Sequence, residues 1–278
     1  VLGAAVGELV LGKKIGNRAM VWGAIGGTIP DLDVLGKFFL SNIDNLAFHR
    51  AFSHSILFSI LGALVFGKLV HAIYKSPNHK WIALVFRSLA TILVGFAVHF
   101  VLSIIVPKPL IPILLAAAAL AYFLYRSTYK KYFTGLWKAP EASVKDWQRL
   151  FFWSLLTHPI LDCFTMYGTQ LFSPFTNTRV AWSTISVADP VYTLPFIICL
   201  IVAATYKREN SLRGKWNKLG ILVSSLYLCA TVVNKFHVNA VFANALSEQK
   251  IEVERYVTNP AILSNVLWSC VAETDTSF

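Results

Sequence analysis

The feature that most constrains this chain is a series of apolar runs near the length of a bilayer crossing, separated by short, basic connections. Runs from His54 to about Tyr74, Trp81 to Val106, Leu110 to Tyr125, Leu150 to Phe172, Pro190 to about Tyr206 and Leu219 to Val233 follow one another. Two shorter runs, Val1–Leu11 and Ala19–Ile29, come first, and Val1–Leu11 reads as a half-span or as the end of a helix whose start is missing. A spanning helix needs roughly 20 apolar residues, and in hydrocarbon the backbone must satisfy its own hydrogen bonds. With 56% apolar and 14% charged residues, and a mean hydropathy of +0.59, a water-soluble domain is excluded. The expected fold is an all-α polytopic membrane protein with about seven or eight transmembrane or half-spanning helices. Residues 1–233 form the expected membrane-embedded domain, and residues 234–278 an extramembrane C-terminal segment. The chain opens on Val1 and stops at Phe278, and both ends read as incomplete.

The net charge of +11 is a topology signal here rather than a sign of nucleic acid binding, because the basic residues sit in the connections. Alternate connections hold 16 and 7 Lys and Arg residues, so the richer set (13–18, 75–80, 126–149, 207–218) is expected in the cytoplasm. That places Asp31, Asp33, His49, the start of the His54 helix, Asp162 and Asp189 toward the outer side of a bacterial cytoplasmic (inner) membrane. The four cysteines show no CxxC spacing, so neither a disulfide framework nor a thiolate metal site is indicated.

Ionisable residues in apolar runs mark function. His158 and Asp162 are four apart, hence on one helix face, although such a pair can also simply join two helices. Pro30-Asp31-Leu32-Asp33 puts two carboxylates just beyond a helix end, either as ligands, with one as general base, or as a solvated turn. In His49-Arg50-Ala51-Phe52-Ser53-His54, Ser53 is expected to cap the following helix, and a bend would turn both histidines toward one point. Arg50 between them suits an anionic group of a substrate. Together Asp31, Asp33, His49, His54, His158 and Asp162 make a mixed imidazole and carboxylate set suited to one or two divalent ions, zinc or manganese foremost. A water activated on such an ion is a hydrolytic nucleophile at neutral pH.

These motifs, with Gly26-Gly27-Thr28-Ile29 before the first and Tyr167-Gly168-Thr169-Gln170-Leu171-Phe172-Ser173-Pro174-Phe175 after the last, resemble a bacterial family of membrane-bound, predicted metal-dependent hydrolases. Some members of that family are described as LexA-regulated. The resemblance runs from Val1 to about Trp268 and is carried by the order and spacing of the motifs together. It implies that the Asp and His positions are metal ligands, and that a short segment, sometimes with a further His, precedes Val1. It does not supply a substrate.

The reading is therefore an integral-membrane metal-dependent hydrolase of an ester or phosphoester, in a lipid or lipid-linked substrate, with Asp31, Asp33 and Arg50 as catalytic residues. The alternatives are a transporter or channel with a buried Asp/His path, and a metal-binding sensor without turnover. Glu8 and Asp189 are read as further ligands, partners of a ligand His, or, for Asp189, a helix cap. His99 is read as an interhelical His ahead of a lining residue of the same cavity, Arg179 as a headgroup contact or a solvated side chain, and His71, His79 and His237 as structural.

Overall fold

A computed structural model describes residues 1–41, 48–89 and 139–274, together with residues 92, 118, 119, 121, 122, 125 and 126. Among them the chain is mostly helical: α1 (Leu2–Ile15), α2 (Asn17–Thr28), α3 (Ile56–Lys75), α4 (Val144–Asp162), α5 (Pro190–Thr205) and α6 (Ser211–Glu248). Short 3-10 helices cover Pro30–Phe38 and Phe52–His54. The C-terminal segment adds an antiparallel hairpin, β1 (Arg255–Pro260) and β2 (Trp268–Glu273), with Thr258 opposite Cys270. An all-helical reading did not include it; its Tyr, Val, Thr and Trp residues favour a pleated strand.

Two described helices, α3 and α6, are long and apolar enough to cross a membrane, and α5 is a shorter apolar helix. The expected spans Trp81–Val106 and Leu110–Tyr125 lie largely outside the described residues, as does His99. Helix α6 runs unbroken through Val233 to Glu248, well beyond the expected end of its span. Helix α4 ends at Asp162 rather than Phe172, because the Thr165 N–H and hydroxyl both donate to the Asp162 carbonyl and turn the chain aside.

The chain divides into two compact units, residues 1–68 with 142–278, and residues 69–141. In the second, the last turns of α3 and residues 79–89 are helical. The first unit holds every candidate ligand, and its architecture follows from small residues and caps. Gly16, at φ 60°, reverses the chain between α1 and α2. The two helices then pack backbone to backbone, since a Cβ on Gly7 would collide with the Ala19 carbonyl and one on Gly23 with the Gly3 carbonyl. Gly26 faces Phe151 and Ser154 of α4.

Ser143 opens α4 with a capping box: it accepts from the Asp146 N–H, and Asp146 accepts from the Ser143 N–H. Asp146 also pairs with Lys14 of α1 at 2.8 Å. Trp147, Leu150, Phe151 and Leu155 form a buried stripe at helical spacing along α4, and the same face arrives at His158 and Asp162. Gly62 and Gly67 let α3 approach Leu155 and Gln148 on α4. Ala5, Met20, Phe196, Leu200 and Ala203 close a second core where α1, α2 and α5 meet.

Candidate metal centre

Four side chains from three parts of the first unit converge. Asp31 stands at the start of the Pro30–Phe38 helix, where Pro30 ends the preceding helical run. His54 closes the Phe52–His54 turn, fully buried, while His158 and Asp162 occupy the last turn of α4. One ligand atom from each lies within 4.8 Å of all the others. His54 Nε2 is 3.5 Å from Asp31 Oδ1 and 3.4 Å from Asp162 Oδ2. His158 Nε2 is 3.3 Å from Asp31 Oδ1, 3.2 Å from Asp162 Oδ2 and 3.2 Å from His54 Nε2.

These separations test the fit of a metal directly. Charge-assisted hydrogen bonds draw nitrogen and oxygen to about 2.7–2.9 Å, shorter than any of them. Four N and O ligands around a tetrahedral ion at about 2.05 Å stand about 3.3 Å apart, which the five spacings match. Asp162 Oδ2, which points at both imidazoles, is buried without a hydrogen-bond partner. A buried carboxylate oxygen left in that state is costly, and a cation among the four atoms would satisfy it. The residues present therefore fit a divalent ion.

Asp33 and His49, the other two expected ligands, stand one step behind. Asp33 Oδ1 contacts His49 Nδ1 at 2.6 Å, and Oδ2 accepts from the Ser53 hydroxyl at 2.6 Å and the Arg50 N–H at 3.0 Å. Asp33 Oδ2 also lies 3.2 Å from His54 Nδ1. With the Ser53 proton given to Asp33, His54 Nδ1 is the donor, and its Nε2 faces the other three ligand atoms. Burial pushes the Asp33 carboxyl up, but the donors from His54, Ser53, His49 and Arg50 outweigh it and hold the pKa at about 2.

Arg50 does not reach toward open space as a substrate contact would. Its Nη1 donates to Thr165 Oγ1 at 2.8 Å, and its Nη2 lies 3.6 Å from Asp162 Oδ1. Its guanidinium lies 5.4 Å from the Tyr167 ring centroid. The backbone at Arg50 is left-handed, with φ 61°, and its carbonyl accepts from the Gln170 N–H. Arg179 Nη2 donates to the His49 carbonyl, so it braces the same loop. Ser53 serves Asp33, and Ser55 caps α3 instead, accepting from the Phe58 N–H at 3.0 Å.

Of the remaining candidates, Glu8 is buried in an ion pair with Arg213, far from the histidines in sequence and in partners. Asp189 caps α5: Oδ1 accepts from the Val191 and Tyr192 N–H groups and Oδ2 from the Tyr227 hydroxyl. Thr165 and Gln170 carry weight in the site that no single-residue pattern announced, and Ser53 carries a different role from the cap expected of it. Ser53 and Gln170 belong to the His49–Ser55 and Tyr167–Phe175 stretches, and Thr165 stands three residues after Asp162.

Neither a curated protein nor a solved structure matches the chain. A family model does, over residues 1–111 and again over residues 109–238, which takes in every residue of the four-ligand group and the loops behind it. The chain belongs to the YdjM inner membrane protein family.

Proposed function

We propose that this protein is a metal-dependent hydrolase of the inner membrane that cleaves an ester or phosphoester in a lipid or lipid-linked substrate. The observation that carries the reading is the group Asp31, His54, His158 and Asp162, with the Asp162 Oδ2 buried and unpartnered at its centre. A divalent ion held by these four, zinc or manganese, supplies Lewis acidity and a water that ionises near neutral pH.

The chain's own residues supply orientation and proton handling. Asp33 fixes the His54 ring, and Arg50 with Thr165 fixes Asp162 from the side away from the ligands. Asp31, whose side chain is 48% exposed, is the ligand open to an arriving substrate and the carboxylate placed to accept a proton. The protein sits in the membrane as a bundle of about seven or eight spanning or half-spanning helices over residues 1–233, with residues 234–278 outside the bilayer. The site lies toward the outer side, as the distribution of basic residues favours.

The test is metal content and turnover of detergent-purified protein. Chelation is expected to abolish hydrolysis, zinc or manganese to restore it, and Asp162→Ala to lose both metal and activity. Equal turnover in wild type and Asp162→Ala would sink the reading. Full metal loading with no hydrolysis across phospholipids, lipid-linked phosphates and chromogenic esters would favour a metal sensor instead.

A further inference from the structure

The segment that follows α2 is built inside out for a loop in water. Ile29 is still helical, at φ −54° and ψ −43°, so α2 runs into the Pro30–Phe38 helix with no loop between them. The acidic side of that short helix is turned to the protein. The Asp33 side chain is 2% exposed and engaged by His49, Ser53 and the Arg50 N–H, while Asp31 stands with His54 and His158. The side left outward is hydrocarbon: Leu32 (55%), Val34, Leu35 (50%), Phe38 (69%), Phe39 (88%) and Leu40 are all exposed. A helix on a water-facing surface has the opposite arrangement, and a contiguous apolar patch of this kind marks a contact surface.

What surrounds the patch identifies the contact as lipid. The patch prolongs an outward row on α2: Val21, Ile25, Leu32, Leu35 and Phe39 recur at intervals of three, four or seven residues, the spacing of one helix face. On a helix of an inner membrane protein, such an unbroken apolar row suits hydrocarbon. The backbone is ready for the same surroundings. The Leu32 N–H donates to the Ile29 carbonyl, and the Phe39 and Leu40 N–H groups both donate to the Gly36 carbonyl, so neither end of the short helix strands these donors.

The charge agrees. Lys37 is the one charged residue on the outward side, and its ammonium lies 5.2 Å from the Phe38 ring centroid. A lysine in that position keeps its stem along apolar surface and its charge at the level of lipid phosphates. Ser41 and Asn42 then return the sequence to polar residues.

We propose that Pro30–Leu40 lies in the plane of the membrane interface, in the leaflet on the side of the metal centre. Its Leu and Phe side chains stand among the upper acyl carbons, and Lys37 stands at the phosphates. This takes residues 30–40 out of the aqueous connection and into the bilayer. Asp31 belongs to the same helix, so the four-ligand group lies at headgroup depth and a lipid reaches it from within the leaflet. The placement depends on residence in a membrane and not on hydrolysis, so its test needs no turnover.

The experiment uses the full chain, with the native cysteines replaced, in nanodiscs of phosphatidylcholine and phosphatidylglycerol. Leu35→Cys and Phe39→Cys each carry the environment-sensitive fluorophore NBD, and Glu252→Cys, exposed in the segment before β1, is the water-facing control. Phe39 is almost fully exposed, so its replacement leaves the fold intact, and metal content measured on the same samples is expected to stay at the wild-type level. Emission at residues 35 and 39 is expected to shift to the blue of the control. Quenching there should be at least about twofold stronger from a nitroxide on an upper acyl carbon than from iodide in the water. Adding Lys37→Glu is expected to weaken the lipid quenching at residue 39 in phosphatidylglycerol discs more than in pure phosphatidylcholine. Equal loss in both lipids, or none, removes Lys37 from the phosphates. If iodide quenches residues 35 and 39 as it does residue 252, the segment lies in water and the placement is overturned. If neither quencher reaches them, another part of the protein or a second copy covers the patch, and the placement is overturned equally. The hydrolase reading stands or falls separately, on metal and turnover.

Discussion

Asp33 gathers His49, Ser53, the Arg50 N–H and His54 Nδ1 onto one carboxylate, and through His54 it reaches the ligand group without joining it. Such a partner raises ligand basicity and fixes the ring, so its loss weakens metal binding without removing a ligand. Asp33→Asn is expected to lower metal affinity by about 10–100-fold yet still fill at saturating ion. His158→Ala, which deletes a ligand, is expected to lose stoichiometric metal under the same conditions. Calorimetric titration separates the two, and wild-type affinity in Asp33→Asn would release Asp33 from this role. The proton inventory gives a second check. His54 Nε2 and His158 Nε2 each face carboxylate oxygens of Asp31 and Asp162, so a proton on either nitrogen must leave when an ion binds. Affinity should therefore rise with pH, with proton release on binding. Titration in buffers of different ionisation enthalpy counts it; no proton released would contradict the arrangement.

At the scale of elements, two helix interfaces place the ligands. The α1–α2 pair depends on glycine, because Gly7 and Gly23 face backbone that cannot give way. Gly7→Val should cost about 1–3 kcal/mol and lower the unfolding temperature in detergent. Gly214→Ala in the first turns of α6 is the control, since a Cβ there meets nothing within 4 Å and alanine favours the helix by about 1 kcal/mol. If both variants melt alike, close packing at Gly7 is not what holds the pair. Helix α4 then carries the registration: its buried stripe from Trp147 to Leu155 fixes the rotation at which His158 and Asp162 appear. The capping box at Ser143 and the Lys14–Asp146 pair fix where that helix begins relative to α1.

At the scale of the whole molecule, the chain belongs to an inner membrane family and, among the described residues, has two helices of crossing length. With the connections of the richer set in the cytoplasm, a single cysteine at Lys215 should resist a membrane-impermeant reagent in intact cells, and one at Ser41 should react. The background must lack Cys163, Cys199, Cys229 and Cys270, and the reverse pattern would invert the topology. Lys215 is chosen over Arg213 because Arg213 is locked in the buried pair with Glu8. The sequence alone determined the helical class and the family. It also pointed to Asp31, His54, His158 and Asp162, because hydropathy, helical spacing and motif order are properties that neighbours along the chain carry by themselves. Only the tertiary structure decided that Asp33 and His49 stand behind His54, that Arg50 turns onto Asp162, and that Glu8 answers Arg213 across 205 residues. The physical reason is that each of these depends on an atom's direction, and direction is set by distant partners. The left-handed backbone of Arg50 is held by the Gln170 N–H, and its guanidinium by Thr165 115 residues away, neither of which a local pattern can supply.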